Sequence, residues 1–456
     1  MVSTQGLKLG TCQSAARVPF KQNDFQNPME HKIDLKSIGL PQADAMAHAI
    51  STCVHCGFCL PACPTYQVLG EEMDSPRGRI ILMRGVLEKS LPMDAATPYL
   101  DRCLGCLGCV TACPSGVPYG ELISSFRAYS EDKRHRTIVN RIARQMASQT
   151  LPFPTRFRWA AALGKLAKPF AAIFPTSLRA MLGLIPRQLA HSVSIPEFTP
   201  AKRLRRGKVG LLAGCVQQVI APEINAATIR VLAENGFDVL VPKGQGCCGA
   251  LSMHTGDART ARALAGVNLE LFPPDLDAII TNAAGCGSGM KEYSLLFRGH
   301  PLEEKATHFA TRIQDISQFL NCIDLFPLKP LEKPMRVAYH DACHLAHAQG
   351  ITSAPRRILS QIPGLELCEV PDGEICCGSA GTYNIEQPKI ANTLGMTKAK
   401  NIESMKVDAV VMGNIGCMVQ IQTHLAKLQP KGATIPVLHT IQLLDRAYGT
   451  GTTGII

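Results

Sequence analysis

The sequence predicts an α+β multidomain protein with an N-terminal α-helical domain, a helical linker and a duplicated α/β domain. One observation behind this prediction is a four-cysteine run that occurs twice in the N-terminal third of the chain. The other is an alternation of short apolar strands with helices after residue 207, which then repeats in the same order. The 456 residues suffice for about three domains at roughly 100 to 200 residues each.

The predicted boundaries follow these changes of pattern. We expect an N-terminal tail over residues 1–40, a two-run cysteine domain over 41–130, a basic helical linker over 131–206, and α/β domains over 207–325 and 326–450. Prolines that recur through the linker break it into several short helices.

The two cysteine runs are the strongest chemical signal. The first places Cys53, Cys56, Cys59 and Cys63 before Pro64, and the second places Cys103, Cys106, Cys109 and Cys113 before Pro114. This is the C-x2-C-x2-C-x3-C-P spacing of ferredoxins that bind two 4Fe-4S clusters, in which the fourth cysteine of each run serves the other cluster. The predicted ligand sets are therefore Cys53, Cys56, Cys59 and Cys113 for one cluster, and Cys103, Cys106, Cys109 and Cys63 for the other.

Zinc is the alternative metal for four thiolates, and it would make the chain a zinc-stabilised scaffold without a redox role. Zinc sites use paired C-x2-C spacings, so the third cysteine of each run would be surplus. The spacing favours iron-sulfur clusters over zinc. Small residues between the ligands, Gly57, Gly105 and Gly108, let backbone amides approach the cluster sulfurs.

The second half of the chain reads as two α/β units. Predicted strands are Lys208–Ala213, Phe237–Val241 and Leu276–Thr281, then Met335–His340, Leu365–Val370 and Asp408–Met412. Predicted helices are Pro222–Asn235 and Asp257–Leu271, then Ala354–Gln361 and Glu386–Ser404. Cysteines repeat in register at offsets of 128, 129 and 131 positions, which indicates an internal duplication.

Each unit carries four cysteines just after its strands, including an adjacent pair followed by glycine. The first set is Cys215, Cys247, Cys248 and Cys286, and the second is Cys343, Cys376, Cys377 and Cys417. Because ligands of open α/β sheets bind outside the carboxyl ends of the strands, each set is expected to meet at one sheet edge. A further iron-sulfur cluster, a dithiol redox pair, and zinc or buried thiols without a ligand remain alternatives for these sites. His254, His340, His344 and His347 are candidate additional ligands.

Charge and hydropathy limit the partners. With 47 basic against 36 acidic side chains the formal charge is +11, and much of the excess lies in the linker. A solvated helical connector is the simplest interpretation, and a surface for an acidic subunit or anionic lipid is the functional alternative. The linker aromatics Phe153, Phe157, Trp159, Phe170 and Phe174 are interpreted as helix core, so no nucleic-acid groove is expected. The start of the chain lacks a signal-peptide pattern, which favours a cytoplasmic location.

Taken together, the doubled cysteine run, the basic helical linker and the two Cys-Cys-Gly domains resemble the iron-sulfur subunits of bacterial glycolate oxidases. The similar stretches are Cys53–Cys59, Cys63–Tyr66, Pro76–Ile80, Cys376–Tyr383 and Asn414–Cys417. The related cluster subunits of lactate, glycerol-3-phosphate and heterodisulfide reductase systems share these parts. Heterodisulfide reductases have a further cysteine where this sequence has Gly289 and Gln420.

The resemblance implies an electron-transfer subunit of a flavin-dependent 2-hydroxy acid (glycolate) dehydrogenase complex, with no catalytic residues of its own. It implies flavin-binding dehydrogenase subunits as partners, with FAD and the substrate chemistry on those chains. It also implies peripheral contact with the inner face of the cytoplasmic membrane and its quinone pool. Consistently, the sequence has no dinucleotide-binding G-x-G-x-x-G after a first strand.

Overall fold

The structure is a computed structural model that describes residues 31–186, 189–429 and 434–450. Most of the predicted N-terminal tail, with the isolated Cys12, lies outside the described residues. The described part of that tail contains a short helix, α1 (Leu35–Ile38), whose first turn is capped by the side chain of Asp34.

The two cysteine runs lie in loops of a small helical domain. Its further helices are α2 (Ala43–Ser51), α3 (Pro64–Leu69), α4 (Pro76–Leu87), α5 (Met93–Asp101), α6 (Gly108–Thr111) and α7 (Tyr119–Glu131), with a 3-10 turn at Glu72–Asp74. Pro64 and Pro76 each occupy the first turn of a helix, where a missing N–H costs nothing. Ser75 caps α4 through a hydrogen bond from the N–H of Gly78. The proline at position 76 predicts the start of a helix over Pro76–Glu88, and α4 ends one residue earlier, at Leu87.

The linker is helical only in its first two thirds. It consists of α8 (Ile138–Thr150), α9 (Pro154–Ala167), a 3-10 segment (Lys168–Ile173) and α10 (Thr176–Leu184). The strand β1 (Phe198–Thr199) follows and pairs antiparallel with a strand of the first sheet, although it lies inside the predicted linker. The first sheet therefore begins before residue 207.

The interpretation of the linker aromatics as helix core is wrong for three of the five. Trp159, Phe170 and Phe153 are 71%, 63% and 36% exposed, whereas Phe157 and Phe174 are half-buried. The sequence pattern shows a helix with apolar residues on more than one side, but only one of those sides packs against the rest of the chain.

Two sheets form the second half, and the four parallel strands of each share one topology. In the first sheet, β2 (Gly207–Leu211), β3 (Phe237–Leu240), β4 (Ala278–Thr281) and β5 (Ile313–Asp315) stand in the order β1-β3-β2-β4-β5. In the second, β6 (Met335–Tyr339), β7 (Leu365–Glu369), β8 (Ala409–Met412) and β9 (Val437–His439) stand in the order β7-β6-β8-β9. The duplication is thus visible in the fold. The three-residue strands β5 and β9 were not predicted because neither has an apolar run of its own.

Helices cover both sheets. The first unit has α11 (Gln217–Ile220), α12 (Glu223–Glu234), α13 (Ala250–Thr255), α14 (Ala258–Leu271), α15 (Ala284–Lys291), α16 (Tyr293–Leu296), α17 (Glu303–Thr311) and α18 (Ile316–Asn321). The second has a π-helical turn (His344–Ala348), α19 (Ser353–Leu359), α20 (Tyr383–Glu386), α21 (Pro388–Ser404), α22 (Ile415–Leu428) and α23 (Thr440–Ala447). One hydrophobic core runs from the first sheet into the second, so the two units are packed together. No helix within the described ranges is both long and apolar enough to span a bilayer.

Candidate iron-sulfur and Cys-Cys-Gly sites

The structure brings the eight cysteines of the two runs into two groups of four. One cavity, with about 410 Å³ of empty space that includes open solvent, is lined by Cys53, Cys56, Cys59 and Cys113. A second, of about 300 Å³, is lined by Cys103, Cys106, Cys109 and Cys63. The fourth cysteine of each run therefore lies with the first three of the other run. Cys109 also reaches the wall of the first cavity, so the two cavities are neighbours.

The two loops repeat each other in backbone conformation. The second and fourth residues after the first cysteine have positive φ in both runs: His55 (56°) and Gly57 (87°) in one, Gly105 (65°) and Leu107 (61°) in the other. Each loop has one glycine and one side-chain-bearing residue at these positions, so it accepts strain at one of them. In the second loop the N–H of Gly105 donates to Sγ of Cys103, with 3.4 Å between nitrogen and sulfur.

A buried cation lies beside the second cavity. Arg79 is only 1% exposed, and its guanidinium donates to Thr65 and Asp74 and to the carbonyl of Tyr99. Its Nη1 lies 3.8 Å from Sγ of Cys63. This positive charge would compensate the negative charge of thiolates in a buried site.

The thiols of these sites differ in acidity for physical reasons. Burial raises the pKa of Cys109 far above its usual range, and burial raises the pKa of Cys59 to about 11. Burial also acts to raise the pKa of Cys103, but the charges of Arg79 and Arg127 outweigh it and leave that pKa lowered. Thiols with raised pKa values stay protonated without a cation, so loading with a metal cluster releases protons.

In the first α/β unit the four Cys-Cys-Gly cysteines form a chain of contacts. The thiol of Cys215 contacts that of Cys247, and Cys248 contacts both Cys247 and Cys286. These cysteines come just after β2, β3 and β4, at the carboxyl ends of the strands. β2 lies between β3 and β4 in the sheet, so this is the point where the chain switches from one side of β2 to the other. Gly249 makes the sharp turn after the pair at φ 77°, and a Cβ there would lie 2.9 Å from the carbonyl oxygen of Ala261.

The second unit repeats this chain of contacts. Cys343 lies 3.8 Å from Cys376, Sγ to Sγ, Cys376 contacts Cys377, and Cys377 contacts Cys417. All four are buried. Asn414 donates to Sγ of Cys417 at 3.2 Å, as a hydrogen bond to a thiolate ligand would require.

The two Cys-Cys-Gly sites differ in their surroundings. The first borders a large, mainly apolar cavity of about 2,260 Å³, open solvent included, whose opposite wall is formed by the linker helices α8, α9 and α10. The second is closed, and His340 joins it: His340, Cys377 and Cys417 can each direct one ligand atom to a common point, since these atoms all lie within 4.8 Å of one another. The position equivalent to His340 in the first unit is Leu212, so only the second site has this group.

The other candidate histidines are placed differently. His254 and His344 stack edge to face with ring centroids 5.1 Å apart and line the apolar cavity. His347 contacts Thr111 at 2.8 Å and the carbonyl of Glu374 at 3.0 Å, which makes it a bridge between the helical domain and the second unit.

The second four-cysteine cavity lies against the second Cys-Cys-Gly site. Leu104, Cys343 and Cys376 belong to one buried hydrophobic group. Burial, and after it the charge of the Cys343 thiolate, raises the pKa of Cys106 well above its usual range. Tyr383 fixes this contact by donating to the carbonyl of Arg102 at 2.9 Å. The cysteine spacing shows no sign of this proximity, because the two loops are more than 200 residues apart.

Comparison with known proteins agrees with this organisation. Residues 49–117 match the family model of the 4Fe-4S dicluster domain, and residues 209–291 and 337–422 match that of the cysteine-rich domain. The chain is 37% identical to the glycolate oxidase iron-sulfur subunit of Escherichia coli over 89% of its own length and 95% of the relative. It is 33% identical to the probable glycolate oxidase iron-sulfur subunit of Bacillus subtilis over 88% of its length and 94% of the relative.

More distant similarity covers only part of the chain. A fumarate reductase (CoM/CoB) subunit of Methanothermobacter marburgensis is 37% identical over 53% of this chain and 46% of the relative. A solved structure of a hypothetical protein from Helicobacter pylori aligns with a TM-score of 0.48 at 9% identity, covering 91% of this chain and 77% of that one, and supports no further argument. The near full-length similarity to the E. coli and B. subtilis subunits is decisive: the chain belongs to the family of glycolate oxidase iron-sulfur subunits.

Proposed function

We propose that this chain is the electron-transfer subunit of a glycolate dehydrogenase complex and relays electrons from glycolate-oxidising flavin subunits toward a membrane acceptor. The observation that supports it most is the pair of neighbouring cavities, each lined by four cysteines in the crossed arrangement of two-cluster ferredoxins. A 4Fe-4S cluster, when bound, supplies one-electron transfer at each cavity.

The residues present fit two clusters. We propose Cys53, Cys56, Cys59 and Cys113 as ligands of one, and Cys103, Cys106, Cys109 and Cys63 as ligands of the other. The buried guanidinium of Arg79, the inward amide of Gly105 and the raised thiol pKa values all suit sites that hold negatively charged sulfur around a metal.

The first cavity is the proposed contact with the flavin subunits. Cys56 is exposed there, and Val54 and Phe58 beside it are 56% and 65% exposed, an apolar rim that a partner could cover. The flavin, FAD, is proposed to reside on those partners. From this first cavity the cysteine sites form a continuous series through the second cavity to the closed Cys-Cys-Gly site.

For the Cys-Cys-Gly sites we propose a bound metal or cluster. Cys343, Cys376, Cys377 and Cys417, with His340 as an additional ligand, would hold it in the second unit, where burial leaves no room for a substrate. Cys215, Cys247, Cys248 and Cys286 would hold one in the first unit, where the open apolar cavity gives access from outside. A zinc-stabilised second site is the specific alternative, since a closed set of thiolates and one imidazole also suits zinc.

Purified complex with its flavin subunits tests the electron-transfer role. Anaerobic addition of glycolate is expected to bleach the visible iron-sulfur absorption of this chain, and an added acceptor is expected to restore it. The matched control adds glycerol 3-phosphate or lactate in place of glycolate. Full flavin reduction by glycolate without any change in the iron-sulfur spectrum would show that the chain is not the electron carrier. Faster bleaching by a control substrate would instead assign the subunit to that related system.

A further inference from the structure

The linker exposes a continuous apolar surface that nothing in the described chain covers. Trp159, Leu163, Leu166, Phe170 and Ile173, hereafter the linker face, are 71%, 64%, 74%, 63% and 79% exposed. They recur every three or four residues along α9 and the following 3-10 segment, so they lie on one side of it.

The opposite side of the same helices is apolar too. Phe157 and Ala161 of α9 line the large cavity that leads to the first Cys-Cys-Gly site, and Leu163, at the border of the linker face, also contributes to its wall. The inner side therefore accounts for the packing of these helices, and packing does not explain the linker face. The neighbouring helix α8 adds a second exposed apolar row: Ile138, Ile142 and Met146 are 75%, 53% and 45% exposed.

Positive charge without acidic compensation accompanies this surface. Residues 138–186 contain seven cationic side chains and no aspartate or glutamate. These side chains are Arg141, Arg144, Arg156, Arg158, Lys165, Lys168 and Arg179. Arg144 pairs with Glu131 and Glu386, and the other six make no ion pair with any described residue.

We propose that the linker face is a membrane-docking surface that lies in the headgroup region of an anionic lipid bilayer. The segment combines an exposed apolar row with cations that lack ion-pair partners, which is the composition of helices that lie in a membrane interface, where Trp is also favoured. Attraction of Lys and Arg to anionic lipid adds to the burial of apolar side chains. This proposal rests on the proposed function and adds the surface through which the subunit would reach a membrane. Because the linker helices form one wall of the apolar cavity, docking would place that cavity beside the bilayer.

Trp159 is the only tryptophan of the chain, so it reports on this surface directly. The full-length, cluster-loaded chain is mixed with vesicles of phosphatidylglycerol and phosphatidylcholine, or with vesicles of phosphatidylcholine alone. With anionic vesicles we expect a blue shift of Trp159 emission, protection from acrylamide, and quenching by brominated acyl chains. Emission that is unchanged at low ionic strength, with no protein sedimenting with the vesicles, would overturn the proposal.

Variants then locate the contact. Changing Leu163→Ser, Leu166→Ser and Ile173→Ser together is expected to reduce partitioning onto anionic vesicles by about tenfold or more, while Trp159 remains as the probe. The control changes two exposed apolar residues elsewhere, Leu204→Ser and Val267→Ser, which are 87% and 42% exposed. Equal loss of binding in both variants, or in neither, would contradict the assignment of this surface. Vesicle binding needs no electron transfer, so its failure and a failure of the glycolate assay are separate results.

Discussion

Replacement of Arg79 by methionine is expected to lower the midpoint potential of the second cluster site selectively. Arg79 is fully buried and its Nη1 lies 3.8 Å from Sγ of Cys63. A positive charge favours the reduced, more negative form of a cluster, so its removal favours oxidation. The carboxylate of Asp74, which Arg79 now neutralises in part, stays behind and acts in the same direction.

The magnitude follows from Coulomb's law. At 3.8 Å and an effective dielectric constant of about 20, the interaction is roughly 4 kcal/mol. Partial neutralisation by Asp74 and the spread of cluster charge over several atoms reduce this to about 2 kcal/mol, which is ~90 mV for a one-electron couple. We therefore expect a decrease of roughly 50 to 100 mV.

The assay is an anaerobic redox titration followed by electron paramagnetic resonance, with iron content measured on the same samples. Arg79→Lys is the matched variant: it keeps the charge but loses the planar fork that reaches three acceptors, so its shift is expected to be less than half. Arg77→Met is the control for position, since Arg77 donates to the carbonyl of His55 beside the first cavity. An unchanged second potential in Arg79→Met at full iron content, or a shift confined to the first cluster, would refute the reasoning.

Three further predictions address ligands, turn geometry and pH. Cys113→Ser is expected to remove the first cluster and Cys63→Ser the second, each with loss of about four irons per chain by iron analysis; loss of the opposite signal in either variant would contradict the crossed assignment. Gly378→Ala places a Cβ 2.7 Å from a backbone oxygen, whereas Gly350→Ala, also at positive φ, meets nothing within 4 Å. In denaturant unfolding the first should cost roughly 1 to 2 kcal/mol more than the second, and equal costs would exclude the close approach as the cause. Burial lowers the pKa of His439 to about 4, so the unfolded state binds the extra proton between that value and about 6.5. Stability should therefore fall as pH is lowered through this window, by up to about 3 kcal/mol, and His439→Gln should flatten the dependence measured by urea unfolding at several pH values.

Much of the architecture follows from local sequence pattern. Spacing of the cysteines within each run fixes a tight loop, and the ferredoxin spacing predicts the crossed grouping around the two cavities. Pro64 starts a helix, whereas Pro114 lies in a turn ahead of α7. Repeat offsets between Cys215 and Cys343 and their successors predict two units of the same topology, which the two sheet orders show. These features are short-range or are repeated, so a single sequence records them.

Features that depend on tertiary contacts were missed. His340 was only one of four histidines of equal weight until the fold brought it to Cys377 and Cys417. The contact of Cys106 with the second Cys-Cys-Gly unit joins distant parts of the chain. The exposure of Trp159 was misjudged because periodicity shows that a helix has an apolar side but not whether that side is covered.

Anaerobic iron, sulfide and zinc analysis of the purified chain, paired with electron paramagnetic resonance after reduction, tests the central claim most directly. Two clusters predict about eight irons and eight sulfides per chain with spin-coupled reduced signals, because the two cavities are neighbours. Iron beyond eight would place further clusters on the Cys-Cys-Gly cysteines, and about one zinc beside eight irons would assign zinc to the closed second site. Zinc in place of iron at the two ferredoxin-type cavities, with no reducible signal, would contradict the electron-transfer account.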